Sequence, residues 1–377
     1  MNIGLLGCGN VGRGVKEIAD TQSDLELSIK KILVRRPRED KIFTIDPEEF
    51  FTYPGIEAVA EFIGGEEPAT TYAMRIMESK KSFVTANKKM LALHLPELIG
   101  CAAENGVTLA YEASVGGGIP WITNIRAISE VDEIYGFRGI LNGTTNYILT
   151  AMEEGKEFAD VLAEAQKLGY AEPDPTDDID GFDTRYKTVI SIYQCFGKYV
   201  HPDRIPLYGI RHIRKQDMDY ADMIGRTIKL LTVCSCRDGN LAAVVMPVMI
   251  SKRDILANVT VNSNAVILES SNLGNMMFSG QGAGTYPTSH AVIQDLLWIS
   301  RGGASELRVP EEAELRNDGK RARYYIRADG QDIPEELIDT YIFSGAVVTK
   351  EISLDTLTEL TKGFDSEDFF VAEIGND

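Results

Sequence analysis

No stretch of the chain stays apolar for the about 18 to 20 residues that a membrane-crossing helix needs, and no basic segment precedes its first apolar run. A membrane span and an export leader are therefore not expected, and the reading is a cytoplasmic protein with no membrane partner. Histidine is scarce: His94, His201, His212 and His290 are the four copies, and their spacing matches no common zinc site. The five cysteines are odd in number and scattered, so reduced thiols are expected, not a disulfide framework. Cys234-Ser235-Cys236 lacks the second cluster that a metal site of that type requires. Positive charge is also short. Lys and Arg number 38 against 57 Asp and Glu, and the net charge of -19 repels nucleic acid and anionic lipid alike, so no nucleic-acid partner is expected. Any anion must be held by a local group of basic residues.

What is present is the composition of a soluble globular protein, 44% hydrophobic and 25% charged, at a length of 377 residues that suits two domains. The first residues read as a strand, Asn2 to Leu6, running into Gly7-Cys8-Gly9-Asn10-Val11-Gly12 and then a helical pattern. In that context the glycines permit a tight turn and bring a pyrophosphate to the free N–H groups of a helix start. The next strand, Leu27 to Val34, ends at Arg35-Arg36-Pro37-Arg38, where selectivity for the unphosphorylated cofactor calls for an acid. Arginines suit a 2′-phosphate, which favours NADP and leaves NAD open. A third strand, Ala58 to Ile63, ends at Gly64-Gly65, which lets backbone approach a bound nucleotide, and a fourth ends at Thr85-Ala86-Asn87-Lys88-Lys89. Carboxyl ends of strands are where open α/β sheets hold ligands, so Lys88 points at cofactor or substrate.

A further strand, Val107 to Tyr111, leads into Glu112-Ala113-Ser114-Val115-Gly116-Gly117-Gly118-Ile119-Pro120. Carboxylate and carbonyl oxygens gathered there could hold a hard cation, and a plain domain hinge explains the same glycines. Later comes a dense acidic run, Glu172, Asp174, Asp177, Asp178, Asp180 and Asp183, stiffened by Pro173 and Pro175 and followed by Lys187. Acidic runs are commonly solvated loops. Here the order argues for a site, because a helix would place Asp183 and Lys187, four apart, on one face.

Together these segments, with Gly139 to Tyr147 and Leu168 to Asp178, resemble the homoserine dehydrogenase family in order and spacing over roughly residues 1 to 300. The resemblance implies NAD(P)-dependent interconversion of L-aspartate 4-semialdehyde and L-homoserine, a step toward threonine and methionine. It implies Lys187 as proton donor and acceptor, and Lys88 at the cofactor and substrate. Glu172 and Asp183 would bind the substrate, with Asp177 or Asp178 beside them. Gly7, Gly9, Asn10, Val11, Gly12, Arg35, Arg36, Gly64, Lys88 and Gly284 would bind the cofactor. The Glu112 side chain and the carbonyls of Val115, Gly117 and Ile119 would hold sodium. A homodimer or higher homo-oligomer is implied as well.

The expected fold is α/β, a Rossmann-type doubly wound parallel sheet plus an α+β substrate and dimerisation domain and a small C-terminal α+β module. Expected boundaries are 1–115 for the dinucleotide-binding domain, completed by about 284–300; 116–283 for the substrate domain; 301–320 for a linker; and 321–377 for the tail. The tail reads strand, helix, strand, helix, strand. Its opening, Ala322 to Arg327, is similar to the amino-acid-sensing ACT domain of longer family members. Gly330-Gln331-Asp332-Ile333-Pro334 departs from that domain's Asp-x-Pro-Gly ligand loop, so a reduced, non-sensing module is expected.

Overall fold

Short aliphatic runs alternating with amphipathic helices give six parallel strands in the order Phe43–Thr44, Ser28–Leu33, Asn2–Leu6, Ala58–Glu61, Ser82–Thr85, Leu109–Ala110. This is the doubly wound arrangement, with the switch point between the first strand and the fourth. The computed structural model describes residues 1–303, 308–343, 345–364 and 369–375. Residues 304–307 of the expected linker, and 344, 365–368 and 376–377 of the expected tail, lie outside the described residues.

The parallel sheet belongs to a unit made of Met1–Val131, Val189–Tyr199 and Gly280–Glu312. Its core packs Ile3, Leu5, Val15, Ala60 and Val84 against Val292 and Leu296 of the returning helix Thr285–Ser300. That helix presses on the first helix, Asn10–Thr21: a Cβ on Gly14 would meet Ser289 Oγ at 2.4 Å, and Ser289 Oγ donates to the Val11 carbonyl at 2.9 Å. The unit reaches past the expected boundary at 115. The Trp121–Ser129 helix is pinned to the Glu112 turn, and Trp121 Nε1 donates to Ser191 Oγ at 2.9 Å. Tyr199 Oη, bonded to the Ala92 carbonyl at 3.1 Å, anchors the end of the same inserted segment.

The second unit comprises Asp132–Thr188, Val200–Ser279 and Ala313–Asp377. Its mixed sheet runs in the order Gly274–Gln281, Ser263–Ser270, Ile134–Ile140, Arg226–Arg237, Asn240–Ser251, Phe369–Ile374, Arg321–Ala328, Ala346–Thr349, Ile338–Phe343, with Ile352–Ser353 pairing Arg321–Ala328 off the main path. The tail therefore extends this sheet in place of closing a separate module. The last strand inserts parallel to Asn240–Ser251 and antiparallel to Arg321–Ala328. The reason is burial: Tyr324, Tyr325, Ile326, Phe370, Val371 and Ala372 need cover on both faces. The first helix expected in the tail is only a turn, Glu335–Leu337; the true helix is Leu354–Thr361, capped by Ser353. Among the described residues no helix is long and apolar enough to cross a membrane.

Candidate active site

In the first unit the glycine turn takes the shape its composition dictates. Gly7 has φ +96° and donates to the Leu33 carbonyl at 2.9 Å, while a Cβ on Gly12 would sit 2.6 Å from the Gly7 carbonyl oxygen. Gly9 precedes the Asn10–Thr21 helix and supplies no side-chain cap, so the helix start keeps donors for an anion. Val11 opens that helix beside Asn10, whose Oδ1 accepts from Arg13 Nη2 at 2.7 Å. Arg35 and Arg36 are exposed. It is Arg38 that turns back to the site, donating from Nη2 to the Cys8 carbonyl at 3.2 Å with its guanidinium 4.7 Å from the Phe43 ring centre. Cys8, Arg13, Lys16, Arg38 and Phe43, together with the acids Glu17 and Asp20, line a shallow cavity of about 430 Å³ beside the turn.

At the carboxyl ends of the next strands a buried acid organises the backbone. Glu61 accepts from Ile63 N at 2.6 Å, Gly64 N at 3.0 Å and Thr85 Oγ1 at 2.6 Å. Burial pushes its carboxyl up from the usual 4.5, against the pull of those bonds. Asn87 Nδ2 donates to the Gly65 carbonyl at 2.7 Å, and its Oδ1 caps the Lys88–Asn105 helix at Met90 N. Half-buried Lys88 is thereby set at a helix start whose Asn87 cap is tied to Gly65.

The Glu112 turn lies in the same unit. Oε1 of Glu112 accepts from Ile122 N at 2.9 Å, and Oε2 from Thr123 N at 2.8 Å and from Thr123 Oγ1, so the carboxylate caps the Trp121–Ser129 helix. Its own N–H donates to Asp295 Oδ2 at 2.9 Å. Burial raises both carboxyls; Asp295, raised further by Glu112, sits well above the ordinary range, and Arg126 opposes both shifts. The Ile119 carbonyl accepts from Trp121 N at 2.7 Å. Gly117, at φ +59°, packs so closely on Gly282 that a Cβ would lie 2.5 Å from its carbonyl, which sets the Gly280–Gly284 loop against this turn. Gly284 (φ +131°) then begins the returning helix without a side-chain cap.

The second unit carries the lysine. Lys187 and Asp183 lie on the Phe182–Phe196 helix, both buried, with Nζ 2.6 Å from Asp183 Oδ2 and 2.6 Å from the Leu141 carbonyl. Asn142 caps the Gly143–Glu153 helix through Oδ1 to Thr145 N at 2.8 Å. Its Nδ2 divides between Asp183 Oδ2 at 2.9 Å and Asp178 Oδ1 at 2.7 Å. Of the alternative pair, then, Asp178 is drawn to the lysine cluster, while Asp177 is exposed. Glu172 is exposed too, and its loop is held through backbone: Gln166 Nε2 donates to the carbonyls of Glu172 at 3.1 Å and Pro173 at 3.2 Å. Asp180 is a staple, bonded by Arg211 Nε at 2.7 Å and Nη2 at 2.8 Å, and Asp174 caps Thr176 N.

Asn142, Leu141, Arg38, Glu61 and Asn87 were not singled out as site residues from sequence. Asn142 had a signal, an N-cap residue directly before Gly143-Thr144-Thr145. Leu141 acts through its carbonyl and had none.

Comparison with known proteins places the chain in a family. A family model described as homoserine dehydrogenase matches residues 120–297, and one described as homoserine dehydrogenase, NAD binding domain, matches 7–112. The homoserine dehydrogenase of Lactococcus lactis is 36% identical, covering 98% of this chain and 87% of its own; that of Synechocystis is 39% identical over 79% and 73%. Among solved structures, a homoserine dehydrogenase from Thiobacillus denitrificans superposes with a TM-score of 0.86 at 29% identity, covering 100% of this chain and 98% of that one. A hyperthermophilic archaeal homoserine dehydrogenase in complex with NADPH gives 0.71 at 26% identity over 81% and 99%.

Proposed function

The chain belongs to the homoserine dehydrogenase family, an NAD(P)-dependent oxidoreductase acting on the hydroxyl of homoserine, and on that premise we propose how its own residues divide the work. The observation that carries the assignment is the buried Lys187 amine, held by Asp183 and the Leu141 carbonyl. In the reducing direction the Lys187 ammonium donates its proton to the aldehyde oxygen as that oxygen gains the C=O electron pair; in the oxidising direction the amine takes it back. When bound, the nicotinamide supplies or accepts the hydride. Asp183 orients Lys187, and together with Asp178 and Glu172 it faces the substrate ammonium. Lys88 neutralises charge at the cofactor and substrate.

The glycine turn from Gly7 to Gly12, with Gly64 and Gly284, forms the cofactor cradle. We assign NADP as the preferred cofactor: Arg38 lies over Phe43 beside the glycine turn, with Arg35 and Arg36 just before it in the chain, and these guanidinium groups are suited to a 2′-phosphate. A sodium ion fits the Glu112 turn. Burial raises the Glu112 carboxyl, and a cation held by that carboxylate and the Val115, Gly117 and Ile119 carbonyls would favour its ionised form, as Arg126 does. The protein is assigned to the cytoplasm and to a homodimer or higher homo-oligomer, which light scattering reads directly.

The deciding assay mixes purified protein with L-aspartate 4-semialdehyde and follows the absorbance of NADPH and NADH separately. Turnover with faster use of NADPH is expected. Silence with both cofactors contradicts the activity, and preference for NADH contradicts the cofactor assignment alone.

A further inference from the structure

Lys229 is fully buried on the Arg226–Arg237 strand and takes no part in the chemistry above. Its Nζ donates to Asn146 Oδ1 at 3.2 Å and to the Val259 carbonyl at 3.0 Å, both neutral acceptors. Asn146 completes a closed cluster, with Nδ2 donating to the carbonyls of Val259 and Ser263, each at 3.1 Å. A buried ammonium held, among the described residues, by neutral oxygens is an expensive feature to retain in a strand that aliphatic residues could fill. Burial accordingly pulls the Lys229 amine below its usual value, with Glu153 at the far end of the Gly143–Glu153 helix opposing.

The cluster sits one helical turn from the catalytic lysine's holders. Asn146 N donates to the Asn142 carbonyl at 3.3 Å. The Asn142 amide grips Asp183, and Leu141, the preceding residue, offers its carbonyl to Lys187. An unbroken series of contacts thus runs from one buried lysine to the other: Lys229 fixes Asn146, which fixes the first turn of its helix. That turn presents both the Leu141 oxygen and the Asn142 amide.

We propose that Lys229 is a positioning residue for Lys187, acting through Asn146 on the Leu141–Asn142 segment. The inference rests on the assignment of Lys187 as proton donor. Charged groups near Lys187 include Asp183 on its own helix and Asp178, which reaches the same Asn142 amide from the Thr176–Ile179 turn. If the segment shifts, the Lys187 ammonium loses acceptors and deprotonates more easily. Because reduction needs the ammonium, the alkaline fall in its rate then begins at lower pH.

The test measures kcat for aspartate semialdehyde reduction across pH with NADPH, in wild type, Lys229→Met and Asn146→Ala, with melting temperature and NADPH affinity read alongside. Both variants are expected to lose about tenfold or more in kcat and to move the alkaline limb down by about half a pH unit or more, with NADPH affinity unchanged. Asn146→Ala leaves Lys229 its Val259 partner and decides the question if Lys229→Met does not fold. A lower melting temperature with the wild-type limb and kcat within twofold overturns the proposal, because a purely structural lysine would behave that way. Wild-type turnover by Lys187→Ala would instead overturn the parent assignment.

Discussion

Asn142 turns its amide nitrogen onto Asp183 Oδ2 at 2.9 Å, the same oxygen that receives the Lys187 amine at 2.6 Å. One neutral side chain thus holds the carboxylate that holds the Lys187 amine, while its own oxygen caps a helix. The two duties separate by substitution. Asn142→Asp keeps the cap but sets a third carboxylate against Asp178 and Asp183. Its kcat should fall by about a hundredfold, and because Asn142 is buried the added charge should lower the melting temperature too; Asn142→Ala, which adds no charge, should lose about 1 kcal/mol with the cap. Steady-state rates and thermal melts of both variants check this.

Arg38 is the arginine that reaches the glycine turn. A charge-assisted hydrogen bond is worth about 1.5 to 3 kcal/mol, so Arg38→Ala should raise KM for NADPH by roughly tenfold to a hundredfold. KM for NADH should change much less. Equal effects on the two cofactors would detach Arg38 from the 2′-phosphate.

Glu61 gives a pH signature. Burial raises its carboxyl above the usual 4.5, so the folded protein favours the protonated form more than the unfolded chain does. Its contribution to stability is therefore greatest below the unfolded value and is lost as pH rises from there through the folded one. Glu61→Gln cannot ionise and keeps an oxygen for the Ile63 and Gly64 N–H groups. The melting temperature of Glu61→Gln relative to wild type should climb between pH 4.5 and neutrality; a difference flat with pH would contradict this.

The tail should be inseparable from its unit. Arg327 on the Arg321–Ala328 strand is fully buried, with Nε 2.8 Å from Asp217 Oδ1, and Tyr325 Oη donates to the same oxygen at 2.7 Å. Asp217→Ala strands a buried guanidinium and should destabilise by about 3 to 5 kcal/mol in urea unfolding. An effect below 1 kcal/mol would mean that the strand docks without this pair.

The sequence was legible where chemistry follows from periodicity. The parallel strands and Gly7 to Gly12 declare themselves by pattern, and the four-residue interval from Asp183 to Lys187 became a 2.6 Å contact. What stayed hidden depends on long-range closure. Nothing local announces that the last strand slides between Asn240–Ser251 and Arg321–Ala328, because a strand sequence does not state its neighbour. Backbone acceptors such as the Leu141 carbonyl carry no side-chain signal. Asp178 and Asp177 differ only in which face of a short turn they occupy. Arg38 was visible as a residue, but its return to Cys8 depends on the Phe43 ring beneath it.

The central claim is that Lys187 moves the proton. The most direct measurement is the rate of NADPH oxidation by Lys187→Ala with saturating aspartate semialdehyde, beside NADPH affinity by fluorescence titration. The rate should fall by about a hundredfold to ten-thousandfold with cofactor affinity nearly intact. A rate within tenfold of wild type would contradict it.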